Sequence, residues 1–149
     1  MIININKPVD WSSFDVVKKI RNITKHKKVG HGGTLDPFAT GVLMIGTEKD
    51  TKSLSHIAMA NKIYEAELSL GKTTDTLDTE GQIISQISIP DISLDFIIDT
   101  LKSFIGHQRQ SPPMFSAKKH KGTRLYKLAR QGIVVKREDI DIIINKIDL

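Results

Sequence analysis

The chain has 149 residues, 39% of them apolar and 26% charged, with a net charge of +5 and no cysteine. That size and balance fit a globular protein with one real core. They exclude disulfides, thiolate metal sites and a cysteine nucleophile, and no apolar run approaches the length of a membrane span.

The first residues, Met1 to Pro8, lack the basic region, long apolar stretch and cleavage site of a signal peptide. A cytoplasmic protein is expected. Ile2 to Ile5 alternates apolar and polar residues, as a short strand does, and Lys7-Pro8 ends it. Ser12-Ser13-Phe14-Asp15 matches a capping box, with an acid where the helix dipole favours it. Trp11 lies just before the cap, placed to staple against Val16. The helix is predicted to run to about Ile23, with Phe14, Val17 and Ile20 or Arg21 on successive turns and Lys18, Lys19 and Arg21 on its far face.

Lys25 to Lys28 leads into Gly30-His31-Gly32-Gly33-Thr34-Leu35-Asp36-Pro37-Phe38-Ala39-Thr40-Gly41. The glycines admit backbone angles that other residues resist. Pro37 drives Asp36 into an extended conformation. The stretch therefore presents one carboxylate on a stiff, non-helical support, although Asp-Pro and Gly-Gly also mark ordinary surface turns. His26 and His31 have no further histidine or cysteine nearby, so no metal site is expected.

Gly41 to Ile45 reads as a buried strand, and Thr47 to about Ala60 as a helix with Leu54, Ile57 and Ala58 on one side. Lys62 to Leu70 alternates well and predicts a half-buried strand with Tyr64 and Leu68 on one face. Gly71 to Gly81 is acidic but departs from calcium-loop spacing, with Leu77, Thr79 and Glu80 at positions that would need ligands or glycine. It reads as a polar turn to a second strand, Gln82 to Ile89. Ile92 to Phe104 is an amphipathic helix closed by Gly106. Gln110 to Ala117 is an irregular segment stiffened by Pro112 and Pro113. Lys118 to Gly122 is a charged turn, and Arg124 to Gln131 a short helix closed by Gly132. Val134 to Val135 and Ile140 to Ile144 read as strands. Strands interleaved with helices, with a hairpin around Gly71 to Gly81, predict an α+β or mixed α/β fold with a partly antiparallel sheet.

Charge is segregated along the chain. Val16 to Leu35 carries six Lys/Arg and no acid, and Thr100 to Arg137 carries ten Lys/Arg and no acid. Segregated positive charge on apolar-patterned segments suggests a polyanion, most simply nucleic acid.

Several separate stretches together resemble the tRNA pseudouridine synthase B (TruB) family. Gly30 to Leu43 resembles its active-site signature. Lys7-Pro8 with Trp11 to Val17 resembles its first motif. Tyr64 followed by the Gly71 to Gly81 turn, and the block from Pro112 to Gly132, resemble two more. The resemblance runs from about residue 2 to the end, with Asp10 where the family often has glycine.

The resemblance implies a pseudouridine-synthase fold: a mixed, largely antiparallel sheet flanked by helices. Residues 1–149 would be part of the catalytic domain, with an RNA-gripping, thumb-like segment at about 111–132. The remainder of that domain, including an active-site arginine, and a C-terminal RNA-binding domain would be absent. It implies isomerisation of a T-loop uridine of tRNA (U55) to pseudouridine, without cofactor or metal, by a monomer. Asp36 would be the essential carboxylate. His31 would help to flip the nucleotide and Tyr64 to stack on the extruded base. Lys118, Lys119, Lys121, Arg124 and Arg130 would contact phosphates. Lacking the arginine beside a buried Asp36, the 149-residue chain is expected to be inactive or weak. The alternative is an RNA-binding module or pseudo-enzyme fragment without catalysis. A Walker-type phosphate loop is excluded, because no Gly-Lys-Ser/Thr follows Gly30 to Thr34.

Overall fold

The computed structural model describes all residues, Met1–Leu149. The fold is α+β, and every strand pairing in it is antiparallel. The chain divides into two compact units, Met1–Ala66 and Glu67–Leu149.

The first unit begins with β1 (Ile2–Lys7) and α1 (Ser13–Thr24), followed by β2 (Val29–His31) and β3 (Gly41–Thr47). β3 is the centre of a three-stranded sheet in the order β1-β3-β2. Ile3 stands opposite Ile45 and Ile5 opposite Leu43, so the alternation of β1 puts one apolar row against the helix side. Val16, Val17, Val29, Leu43 and Ile45 form the core, and Ile3, Ile5, Ile20 and Leu35 pack against it.

The capping box forms as its sequence predicts. The Asp15 N–H donates to the Ser12 hydroxyl at 3.2 Å, and the Ser12 N–H donates back to the Asp15 carboxylate at 3.1 Å. The buried face of α1 differs by one position from the expected stripe. Ser13, Val16 and Val17 are buried, with Ile20 behind them, whereas Phe14 is 53% exposed. The reason is the Ser13 hydroxyl, which is drawn inward to bond the Leu35 backbone. That choice puts residues 13, 16, 17 and 20 on one helical face and turns Phe14 away. Lys18 lies over the Phe14 ring, 5.1 Å from its centroid.

The helix expected from Thr47 to Ala60 is two pieces, a 3-10 helix (Glu48–Ser53) and α2 (Leu54–Met59). Thr51 donates to the Glu48 carbonyl at 2.8 Å, and such local side-chain bonds compete with regular α-helical pairing. Lys62 to Leu70 is not a strand. It has no ladder partner and each of its residues is exposed. Alternation reports only that a segment can serve as a strand, and pairing also requires a neighbouring edge.

The second unit contains β4 (Lys72–Thr74), β5 (Ile83–Gln86), α3 (Leu94–Lys102), β6 (Gly106–Gln110), β7 (Lys119–His120), β8 (Thr123–Arg124), α4 (Leu125–Ala129) and β9 (Ile140–Ile144). Its strands pair as three separate two-stranded sheets, β4-β5, β6-β9 and β7-β8. β5 is shorter than the expected strand, Val134 to Val135 forms none, and β6 had no sequence signal because Gly-His-Gln-Arg-Gln lacks apolar alternation. Its partner β9 supplies the apolar side, with Ile142 opposite Gln108. Ser93 caps α3 by accepting from the Phe96 N–H at 3.2 Å.

Candidate active site and basic hairpin

Asp36 lies in the loop between β2 and β3, and the residues on either side of it are clamped. Before it, the Leu35 N–H donates to the Ser13 hydroxyl at 2.9 Å, and that hydroxyl lies 3.1 Å from the Leu35 carbonyl. After it, the Pro37 carbonyl accepts from the Asp10 N–H at 2.9 Å and from the Lys7 ammonium at 3.1 Å. The Ala39 N–H closes a turn onto the Asp36 carbonyl at 3.1 Å. The loop is thus pinned to β1 and to the start of α1, while the Asp36 side chain itself stays exposed. Its carboxylate takes part in no ion pair among the six in the structure. The burial expected for Asp36 is therefore not observed, because these 149 residues clamp its backbone and leave its side chain in solvent.

Lys7 is the residue that sequence reasoning missed. It is fully buried, and its ammonium donates to the carbonyls of Pro8 at 2.8 Å, Trp11 at 2.6 Å and Pro37 at 3.1 Å. An ammonium has three N–H donors, and three carbonyls occupy them all. The available signal was a lysine ending an apolar strand directly before proline. Asp10 adopts φ +64°, a left-handed conformation that aspartate tolerates better than most residues, which explains how it serves where glycine is common. Gly33 at φ +125° and Gly41 at φ +116° bracket the loop with backbone angles that glycine alone takes readily.

His31 ends β2, opposite Ile45, and its Nδ1 contacts the Gly33 carbonyl. It stands at the root of the same loop as Asp36. Tyr64 lies on the unpaired segment, 72% exposed, and makes no hydrogen bond there.

In the second unit, β7 and β8 form a tight hairpin through Lys121 (φ +47°) and Gly122 (φ +85°). Two positive-φ residues in succession make the turn whose twist suits a two-residue hairpin. The Leu125 N–H donates to the Lys118 carbonyl at 2.8 Å and the Tyr126 N–H to the Ser116 carbonyl at 3.1 Å, which fastens α4 to the hairpin. Leu125 is buried beneath it. Lys118, Lys119, Lys121, Arg124 and Arg130 are all exposed, and none is paired with a carboxylate. Arg130 lies 5.5 Å from the Tyr126 ring centroid.

A concavity in this unit is lined by Asp75, Thr76 and Leu77 from the polar turn and by Pro113, Met114 and Phe115 from the proline segment. The Asp75 and Asp78 carboxylates of the turn face its own chain. Asp75 accepts from the Gln82 N–H at 2.8 Å, and Asp78 from the Thr76 hydroxyl at 2.6 Å and the Glu80 N–H at 3.0 Å. The acidic pattern thereby holds a turn together.

Comparison with known proteins identifies the family. The model of the TruB family pseudouridylate synthase (N terminal domain) matches residues 21–149. The chain is 49% identical over 136 residues to tRNA pseudouridine synthase B of Dehalococcoides mccartyi, covering 91% of this chain and 45% of that protein. It is 47% identical over 147 residues to the enzyme of the same name from Clostridium perfringens, covering 99% of this chain and 50% of that one. It thus spans about half the length of the curated relatives it matches. In the crystal structure of a Cbf5-Nop10-Gar1 complex, one chain aligns with a TM-score of 0.53 and 29% identity over 80% of this chain and 31% of that chain.

Proposed function

Because the chain belongs to the TruB family of pseudouridylate synthases, we propose that it serves the isomerisation of a T-loop uridine of tRNA (U55) to pseudouridine, with Asp36 as the reacting carboxylate. The observation that carries this reading is the clamped loop. Ser13 fastens Leu35, Lys7 and Asp10 fasten Pro37, and the one residue between them projects a free carboxylate.

The reaction breaks the N1–C1′ bond and makes a C5–C1′ bond. A proton leaves C5 and a proton ends on N1, so nothing is oxidised or reduced and no group donor is consumed. What it requires is a carboxylate held at the reacting nucleotide, attacking C1′ or C6 or assisting by proton transfer, which orientation and proximity favour. A nucleotide buried in folded tRNA must first be extruded. His31 stands at the root of the Asp36 loop, suited to assist that step. Tyr64 offers an exposed aromatic face, and stacking on it contributes about 1–3 kcal/mol per base. Lys118, Lys119, Lys121, Arg124 and Arg130 supply cations for phosphates on a hairpin and helix that fold together.

The 149 residues alone are expected to turn over weakly, since the Asp36 side chain is solvated and unpartnered in them. The test uses the full natural protein and tRNA labelled with tritium at C5 of uridine. Tritium is expected in water from tRNA carrying the T-loop uridine, and none from tRNA with cytidine in its place. Equal release from both, or none from either, would overturn the proposal.

A further inference from the structure

We propose that the outer face of α1 and the turn after it form a second contact for the RNA sugar-phosphate backbone, made by Lys19, Lys25, Lys27 and Lys28. This rests on the reading that RNA is the substrate, and it assigns a surface apart from the basic hairpin.

The fold decides which way α1 faces. Val16, Val17 and Ile20 turn to the sheet, which leaves Lys18, Lys19, Asn22 and Lys25 outward. Of the nearby acids, Asp10 lines the same hollow as Lys19 without pairing with it, and two others are already engaged. Asp15 is held by the Ser12 hydroxyl and N–H, with Lys18 at 3.5 Å, and Glu48 by His26 at 3.4 Å and by the Lys28 N–H. Lys19, Lys25, Lys27 and Lys28 are exposed and have no carboxylate partner. The helix dipole favours a cation such as Lys25 at the C-terminal end. It does not account for Lys19 or for Lys27 and Lys28, which lie beyond the last turn. Like charges at such density repel in the free protein, and a polyanion relieves that repulsion.

Position strengthens the case. The first residue of α1, Ser13, is bonded to Leu35, the neighbour of Asp36. A helix of 12 residues is about 18 Å long, at 1.5 Å per residue. The lysines therefore trail away from the Asp36 loop over a distance of several nucleotides of an RNA strand. RNA that delivers a nucleotide to Asp36 has its flanking phosphates within reach of such a track.

The test replaces all four lysines with glutamine in the full natural protein. Affinity for whole tRNA and for an isolated T-stem-loop is measured across about 50 to 200 mM salt. Each neutralised phosphate contributes about 0.7–0.9 to the slope of log affinity against log salt, so the slope should fall by about 3 and the affinity by about tenfold or more. The matching Lys→Arg variant should retain both. A loss seen only with whole tRNA places the phosphates outside the T-stem-loop, and a loss seen with both places them within it. Either supports the proposal. An unchanged slope with both RNAs overturns it, and if Lys118→Gln/Arg124→Gln then still weakens binding, the reading of RNA as substrate stands. Failure of the unaltered protein to bind either RNA removes both.

Discussion

Lys7 is the one charged side chain that the fold buries completely, and it is held by carbonyl oxygens alone. A buried ammonium is tolerable only when its donors are all used. Here they join three separate pieces of backbone: Pro8 at the end of β1, Trp11 before α1, and Pro37 beside Asp36. Lys7→Met keeps the bulk, leaves the Pro8 and Trp11 carbonyls without the ammonium donor and leaves Pro37 with only the Asp10 N–H. It should lower stability by about 2–3 kcal/mol, the cost of unsatisfied buried groups, read as a lower midpoint in urea unfolding with an unchanged slope. A loss under about 0.5 kcal/mol, the range of an ordinary surface substitution, would show that the network does not hold the loop. The Asp36 loop was legible in the sequence because glycine and proline write their backbone preferences directly. Lys7 was less so, since its one local signal, a lysine that ends an apolar strand directly before proline, does not say that the side chain is buried.

Among the elements, α1 was the most legible, because its cap is specified by residues three apart and its core face by apolar spacing. Its rotation was less so, being set by a bond from Ser13 to a loop 22 positions away. The cap also makes the helix sensitive to acid. The Ser12 hydroxyl, then its N–H, hold the Asp15 carboxyl below its ordinary 3.8, and Lys18 adds to this. A carboxyl lowered on folding gives stability that is present above 3.8 and lost as pH falls through its lowered value. Ser12→Ala should therefore cost about 1 kcal/mol near neutral pH, and the difference from the unaltered protein should shrink in acid. Urea unfolding at neutral pH and below 3.8 checks both halves. The strand expected over Lys62 to Leu70 shows the opposite case. Its alternation is real, yet a ladder depends on an edge contributed from elsewhere, which no local pattern encodes. β6 was invisible for the complementary reason, since its apolar partner surface lies in β9, about thirty residues on.

At the scale of the whole molecule, two compact units divide the chemistry. The first carries the clamped Asp36, His31 and the lysines of α1. The second carries the basic hairpin, α4 and the concavity lined by the polar turn and the proline segment. The segregation of charge along the sequence anticipated two cationic surfaces, one per unit, and motifs matched in order carried the family assignment. How the clamped loop is built emerged only from the fold. Asp36→Asn preserves the size of the side chain and the backbone bonds of Leu35 and Pro37, and it removes the negative charge. In the full natural protein, tritium release from C5-labelled tRNA should fall by at least about 10³-fold, the scale on which loss of a reacting group is felt, while tRNA affinity changes by less than about threefold. Turnover that persists within about tenfold of the unaltered protein would contradict the assignment of Asp36.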